Sequence, residues 1–555
     1  MHHTEGSAGR GPVSGSSAAE WRPAIISTAV LLTIYSATLA PSVTLWDSGE
    51  FLAAIHSLGI PHPPGTPLFV MLAHVWSRVF SPMLGFAVSV NLFSAVCTAA
   101  ACGLMARLFA RWTGNTTAAL FGAVAAGAMS SVWQNANETE VYSAALLMAC
   151  LLMVIGEAAR VTREHRWLIL LVYVAALAWT LHLAALIALP AAVTLAFSSA
   201  TDGGEARNSP HLASWKFSSR ELAGSVPAML AVAVLGASAA LFLIVRAAHD
   251  PAINQGNPET WSALREVLTR QQYQPAGLFP RQAPWFIQVG NLFEYADWQV
   301  ALGLAPDAPP SWWRTPFTLV YGCLGIAGAA WHSNASRGTW RAMMVLFLVS
   351  TLGVIAYLNM KASPSFGGGF LPPGAKHEAR ERDYFFLLGF VCWGLWAGQG
   401  AVRLGSHLRK RPALGAAIAG LLVAAVPVAL NWTAVDRRRE PRASEARAAV
   451  IGPLTRAPLR AVMLAVGDND TYPVWFLQQV EGLRRDVTVV TIPLLGGRWY
   501  RGELARRHGL GAAAGSERWM GAHTTLERIC ADAKTAGRPV VVPARQGVVI
   551  PDACH

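Results

Sequence analysis

Apolar stretches about as long as a membrane-crossing helix recur through most of this chain, and they leave it few possible folds. A helix needs about 20 mostly apolar residues to cross the hydrocarbon of a bilayer. Eleven segments approach that pattern, at roughly 23–41, 84–106, 115–132, 141–159, 167–181, 182–198, 224–246, 315–331, 342–358, 384–401 and 413–431. The run 167–198 is too long for one crossing and has His182 at its middle, so it reads as a hairpin of two short helices. The stretch 67–80 is apolar on one face, carries His74 and Arg78, and ends at Ser81-Pro82, as a helix lying in the interface would. With 53% hydrophobic and 14% charged residues, the chain is too apolar for a soluble multidomain protein. An α-helical polytopic membrane protein of about eleven transmembrane helices is expected.

The basic residues set the orientation. The net charge of +12 would suit nucleic-acid binding, but positive-inside loops explain it better. With the N-terminus inside, Arg107 and Arg111, Arg160 to Arg166, Lys216 and Arg220, Arg337 and Arg341, and Arg403 to Arg411 all fall on the inner side. Residues 1–22 are then a disordered cytoplasmic start and 23–431 the transmembrane domain. The run 23–40 could pass for a signal sequence, but cleavage there would strip the motif that follows of its anchor. The outer side receives 42–66, 133–140, 247–314, 359–383 and the tail 432–555. The tail reads as a soluble α/β domain: strands at 461–466 and 486–492, a helix over 471–483 capped by Asp470, and a further strand at 540–542. Five of the seven cysteines sit in apolar stretches, and a disulfide between Cys530 and Cys554 is possible.

Ionisable groups cluster on the outer side, where their cost argues for function. Trp46-Asp47-Ser48-Gly49-Glu50 is followed by Pro61-His62-Pro63-Pro64-Gly65-Thr66-Pro67. Asp47 and Glu50 would share one face of a helix starting near Ser48. A carboxylate at a low-dielectric boundary has raised proton affinity, which suits a general base acting on a hydroxyl. Asp47 could equally cap that helix. Loop 359–383 carries Lys361, Lys376, His377, Arg380 and Arg382, then Asp383-Tyr384. Such an outer basic cluster suits a phosphate, although lipid headgroups or Glu378, Glu381 and Asp383 could also balance it. Glu138 and Glu140 begin an outer helix, with Glu140 the functional candidate, while His182 and the pair Arg270 and Tyr273 are weaker candidates. Asp468-Asn469-Asp470 matches a D-x-D metal pattern, but a turn and helix cap account for it, and no metal or other cofactor is expected. Opposed base and phosphate clamp on the outer face describe an enzyme using a lipid-phosphate donor. Nucleotide sugars are not expected outside the cytoplasm, so a polyprenyl-phosphate carrier follows.

The run WDSGEFLAAIHSLGIPHPPGTPLF, with NETEVYS at 137–143, His182-Leu183, ERDYFF at 381–386 and GDNDTYPVWFLQQVEGLRRDV at 467–487, resembles the bacterial membrane family of domain of unknown function 2723. That family is similar to the transmembrane-protein-260-type protein O-mannosyltransferases of the GT-C superfamily. The resemblance implies a GT-C-like fold with Asp47 in catalysis; Glu50, three residues on, is expected as a second carboxylate, and a bacterial inner membrane as the location. It implies inverting transfer of a sugar, mannose foremost, from polyprenyl phosphate to a protein Ser/Thr hydroxyl. Arg382, Arg380 and Lys361 would bind the donor phosphate. His62, Glu140, Tyr142, His182, Arg270, Tyr273 and Asp383 would bind substrate or support the site. The relatives carry helical repeats where this tail looks α/β. A transporter or flippase of lipid-linked sugar is the alternative, and it predicts inverted repeats with broken helices at the midplane, which the sequence does not display. A scaffold whose tail binds an envelope partner would leave the Asp47 and Arg382 clusters without a purpose.

Overall fold

The computed structural model describes residues 17–199, 217–274, 276–306, 310–367, 371–372, 374–407, 410–511, 519–542 and 549–555. The chain opens with helices α1 (Ser17–Thr38), α2 (Ser48–Ser57), α3 (Pro67–Leu84) and α4 (Phe86–Thr113). Long apolar runs take this form because helices satisfy their own backbone groups where water is absent. Two sets of contacts make α1 and α4 antiparallel. Asn91 Nδ2, near the start of α4, donates to the carbonyls of Ala40 (2.9 Å) and Ser42 (3.2 Å), just past the end of α1. Arg111, in the last turn of α4, lies 3.5 Å from Glu20 in the first turn of α1. These contacts define a face that carries Asp47 and an opposite face. Helix α3 starts at the Asp47 cleft beside Thr66 and ends at Gly85, immediately before α4. Both of its ends therefore stay on one face, so it does not cross, although it is long and apolar enough. Gly85 turns that corner at φ +78°, a conformation that suits glycine.

The remaining membrane helices alternate between the faces. Helices α5 (Thr116–Gly127) and α6 (Ser130–Ala136) return to the Asp47 face with a 70° bend between them. Helix α7 (Val141–Thr162) runs back to a buried Glu157 held by Arg160 (2.7 Å) and Arg111 (3.0 Å). Helix α8 (His165–Leu181) forms a hairpin with the 3-10 turn Leu183–Ala188 and α9 (Leu189–Phe197), and His182 stands at its tip. Arg163 ties the far end of α9 to the end of α7 through the Ala196 carbonyl (3.0 Å). Helices α10 (Ser219–Ala237) and α11 (Leu241–Ala247) rise to Arg246, whose Nε donates to the Leu58 carbonyl at 2.7 Å. The segment that follows, on the Asp47 face, contains α12 (Trp261–Leu268) and α13 (Trp285–Ala301). Helix α14 (Thr315–Ala335) descends from the Arg314–Asp297 ion pair (2.8 Å) to His332, which stacks on Trp112 of α4 at 6.0 Å. Helices α15 (Arg337–Leu348) and α16 (Val354–Leu358) rise, α17 (Leu387–Gly405) descends, and α18 (Pro412–Val435) returns to Arg437, paired with Glu138 at 2.8 Å.

Among the described residues the segments that run from one face to the other are α1, α4, α5–α6, α7, α8, α9 with its 3-10 turn, α10–α11, α14, α15–α16, α17 and α18, eleven in all. By length and apolarity alone, seven helices qualify among the described residues, or eight with the bent pair. That test admits α3, omits α1 and α14, and finds α8 and the α9 segment too short. Local hydropathy and the path of the chain thus disagree: α8 and α9 fail on length, and α3 passes although both its ends stay on one face.

After α18 come α19 (Glu445–Arg456), strand β1 (Val462–Ala465), α20 (Asp468–Gln479), β2 (Thr488–Thr491), α21 (Arg498–His508), α22 (Ala522–Thr535) and β3 (Val540–Val541). The strands form a parallel sheet in the order β2-β1-β3, with Val462 opposite both Thr488 and Val540. Cys530 and Cys554 are joined by a disulfide. The helix expected over 471–483 starts earlier. Gly467 takes the N-cap position, and Asp468 and Asp470 occupy the first turn, where their charge favours the helix dipole. Asp470 is not the cap.

Candidate active site

The first motif is held from two sides. Trp46 adopts φ +62°, a left-handed conformation that a bulky residue keeps only where its surroundings impose it. Its N–H donates to Asn469 Oδ1 on α20 at 2.6 Å. At Gly49 any Cβ would stand 2.5 Å from the Tyr472 carbonyl, so α2 and α20 can meet only through glycine. The tail is thereby clamped onto the segment that carries Asp47.

Asp47 precedes α2 but makes no capping hydrogen bond to it. Instead its Oδ2 accepts from an Arg380 guanidinium nitrogen at 2.7 Å. Burial alone would raise this carboxyl. The charges of Arg380, His62 and Arg382 outweigh it and hold Asp47 below the ordinary aspartate value. This corrects the expectation of raised proton affinity: Asp47 is ionised because cations surround it. Arg380 lies over the rings of Trp46 (5.4 Å) and Tyr384 (4.8 Å), and its Nε donates to Tyr384 Oη at 2.9 Å. Arg382 also donates to Tyr384 Oη (2.7 Å), while its second pairing, with Glu378, is longer at 3.5 Å.

Glu50, three residues on, does not line the cleft. It is fully buried, and its carboxylate accepts from the His62 backbone N–H (2.7 Å), from His62 Nδ1 (2.5 Å) and from Gln255 Nε2. Burial would push the His62 imidazole down, but Glu50 and then Asp47 lift it to about 9. Glu50 is thus a positioning residue that keeps a protonated His62 at the cleft wall. A folded-state value raised above 6.5 contributes stability below that pH and loses it as pH climbs through about 9. The thermal stability of the wild type should accordingly fall between pH 6.5 and 9, and Glu50→Gln should remove that dependence; equal slopes in the two proteins would refute the pairing.

One cleft of about 1430 Å³ gathers Asp47, His62, Tyr142, His182, Arg270, Tyr273, Arg380 and Arg382. Tyr142 packs edge-on against His182 (4.9 Å) and beside Tyr384 (4.6 Å). His182 Nδ1 accepts from the Ala184 N–H at 3.1 Å, so it caps the next turn and lines the cleft together. Tyr273 stands 6.4 Å from the His62 ring, with Arg270 above it at 5.8 Å.

Three expected residues stand apart. Lys361 does not line the cleft: its backbone N–H donates to Glu378 at 2.9 Å and its carbonyl accepts from Asn291 at 2.8 Å. Asp383 turns away and accepts from Ser131 Oγ at the start of α6. Glu140 is not among the lining residues either. Its Oε2 is buried without a hydrogen-bond partner, and burial, then the nearby Asp47 charge, raises its carboxyl well above the ordinary value.

The residues that the sequence did not mark are Tyr384, which joins the two arginines, Gln255, and the tail's share of the cleft apart from Asp468, which it weighed only as part of a metal pattern. Asp468, Tyr472 and a strip from Pro493 to Arg506 all line it. Asp468 is raised by burial and then by Asp47. The adjacency of Tyr384 to the arginines was a usable signal; the strip from Pro493 offered none. The arrangement places an ionised carboxylate beside a guanidinium pair at the rim of a membrane domain. It can accept a proton from a hydroxyl and stabilise a departing phosphate.

Two family profiles match the chain: the Protein O-mannosyl-transferase TMEM260 N-terminal domain over residues 47–203, and TMEM260-associated domain 2 over 452–514. Protein O-mannosyl-transferase TMEM260 of Mus musculus is 34% identical over 153 residues, 26% of this chain and 21% of the mouse protein. Its Dictyostelium discoideum counterpart is 30% identical over 124 residues, 22% of this chain and 15% of that protein. The chain thus matches about a fifth or less of the length of these relatives. ArnT from Cupriavidus metallidurans in the apo state aligns over 86% of both chains with a TM-score of 0.51 at 11% identity, a likeness of fold alone. The helical membrane fold resembles that of ArnT, and residues 47–203 and 452–514 are similar to domains of TMEM260-type proteins.

Proposed function

We propose that this chain is a membrane glycosyltransferase that moves a sugar from a polyprenyl-phosphate donor to a Ser or Thr hydroxyl of a polypeptide. The observation that carries the reading is Asp47 paired with Arg380 in a cleft that also holds Arg382. The name of the mouse and Dictyostelium relatives favours mannose as the sugar and a protein as the acceptor. In the proposed step the acceptor oxygen attacks the anomeric carbon as its proton passes to Asp47. The bond from that carbon to the phosphate oxygen breaks, and the electron pair leaves with the phosphate, opposite Arg382. A single displacement inverts the anomeric centre. The arginines supply the positive charge that a metal would otherwise bring, so transfer is expected to persist in chelator.

Membrane preparations given radiolabelled polyprenyl-phosphate-mannose and cell-envelope protein should label protein. Label found only on translocated, uncleaved lipid would favour a flippase, and loss of activity in chelator would turn attention to Asp468 and Asp470.

The orientation belongs to the same proposal. Arg107, Arg111, Arg160, Arg163, Arg337, Arg341, Arg403 and Arg411 lie on the face opposite Asp47, as the positive-inside rule places the cytoplasm. The N-terminus is then cytoplasmic and the tail extracytoplasmic, in a bacterial inner membrane. Single cysteines at 262 and 459 should react with an impermeant thiol reagent on intact cells, and those at 164 and 411 should not. Labelling at 411 with protection at 262 would reverse the orientation.

A further inference from the structure

The cleft continues past Asp47. Its far part is lined by Ser262 and Glu266 of α12 and by Gly496, Trp499, Gly502 and Trp519 of the tail. At about 1430 Å³ the whole exceeds the roughly 300–1,000 Å³ of ordinary small-molecule sites, so a single sugar does not account for it. We infer that this far part binds the acceptor, and that it takes an extended polypeptide segment carrying a basic side chain near the hydroxyl. The inference rests on the transferase reading above.

The walls suit a peptide better than a lipid. None of these residues belongs to a helix that passes between the two faces, and the donor's chain must remain in the bilayer. At Gly496 and Gly502 no atom lies within 4 Å of where a Cβ would stand, so the tail presents open backbone there. Trp519 is 44% exposed, and an indole offers a peptide side chain a large contact area at low entropic cost.

The charges on the walls are unequally committed. Arg506 is bound to Asp250 (2.6 Å), and Arg507 is bound to Asp250 and to Glu503 (3.0 Å). Glu266 is exposed, and among the described residues its carboxylate enters no salt bridge. A carboxylate in that state favours a Lys or Arg of the ligand.

The test uses the full chain in lipid nanodiscs with polyprenyl-phosphate-mannose. Two peptides serve as acceptors, each with one Thr in an alanine background, flanked by Lys pairs or by Glu pairs. The Lys peptide should have the lower KM by about threefold, as one exposed charge pair allows. Glu266→Lys should reverse that preference. Gly502→Phe adds a side chain into open space on a helix that tolerates it. It should raise the KM for either peptide about tenfold, as a lost aromatic-sized contact surface would, while the KM for the donor holds. A Lys peptide carrying benzophenone should crosslink to 493–506 without any turnover. Transfer that proceeds with both variants unchanged, or a crosslink confined elsewhere, would overturn the acceptor site. Failure to consume the donor with any peptide, despite that crosslink, would overturn the transferase reading instead.

Discussion

Asp47→Asn should lower transfer by about 10²–10⁴-fold, the usual cost of removing a positioned base, and leave the protein folded in the membrane. The substitution keeps the shape and one hydrogen-bond acceptor for Arg380, so the 2.7 Å contact can persist without its charge. The amide cannot take the acceptor's proton. Near-normal turnover would remove Asp47 from the mechanism. The acid limb of the pH profile gives an independent check. The wild-type carboxyl is held below the ordinary aspartate value because the surrounding cations outweigh burial. Activity that needs the ionised form should therefore survive to pH values below that ordinary value. Arg380→Ala takes away the nearest cation, leaves burial less opposed, and should move the acid limb upward. An acid limb unchanged in Arg380→Ala would mean that the limb reports another group, with Glu50 the first to examine.

Why the sequence read well in some places and poorly in others follows from what fixes each feature. The hairpin at 167–198 was legible because its apolar run was too long for one crossing, and the structure turns it at His182. Helix α3 was legible as a surface helix from His74 and Arg78, although its length and apolarity alone would make it a span. The strands of the tail were visible as valine-rich runs, and β1, β2 and β3 fall within them. The wrong expectations concern side chains whose partners are distant in the chain. Glu50 looked like a partner of Asp47 at three residues' separation, yet Gln255 and His62 claim it. Asp383 is beside Arg382 in sequence, but Ser131 draws it to the other side. Lys361 looked as good a phosphate ligand as Arg382, but the peptide groups around it pair with Asn291 and Glu378. Spacing gives the face of a helix; it does not say which of many buried polar groups will satisfy a given carboxylate. The sign of the Asp47 shift failed for the same reason, since burial was readable and the surrounding cations were not.

That distinction separates the three basic residues once grouped as a phosphate clamp. Arg380 is committed: it neutralises Asp47 and lies over Trp46 and Tyr384. Arg382 keeps 29% of its side chain exposed, lines the cleft, and pairs with Glu378 only at 3.5 Å. It is the cation free enough to receive a phosphate, and Tyr384 holds it in place through the 2.7 Å hydrogen bond. Arg382→Ala should therefore cut kcat/KM for the donor by about 10²–10³-fold, as loss of a charge that stabilises the leaving group does. Acceptor KM should change far less. Arg382→Lys should recover part of the loss, because it restores charge but not the planar fork. Tyr384→Phe should cost less than Arg380→Ala or Arg382→Ala, since it loosens both arginines while leaving their charges. Lys361→Ala should leave donor use within about twofold of wild type, the range of an ordinary surface substitution. Steady-state kinetics over a donor concentration series resolve the four variants. A large defect at Lys361 with none at Arg382 would put the phosphate on the far side of loop 359–383 and away from Asp47.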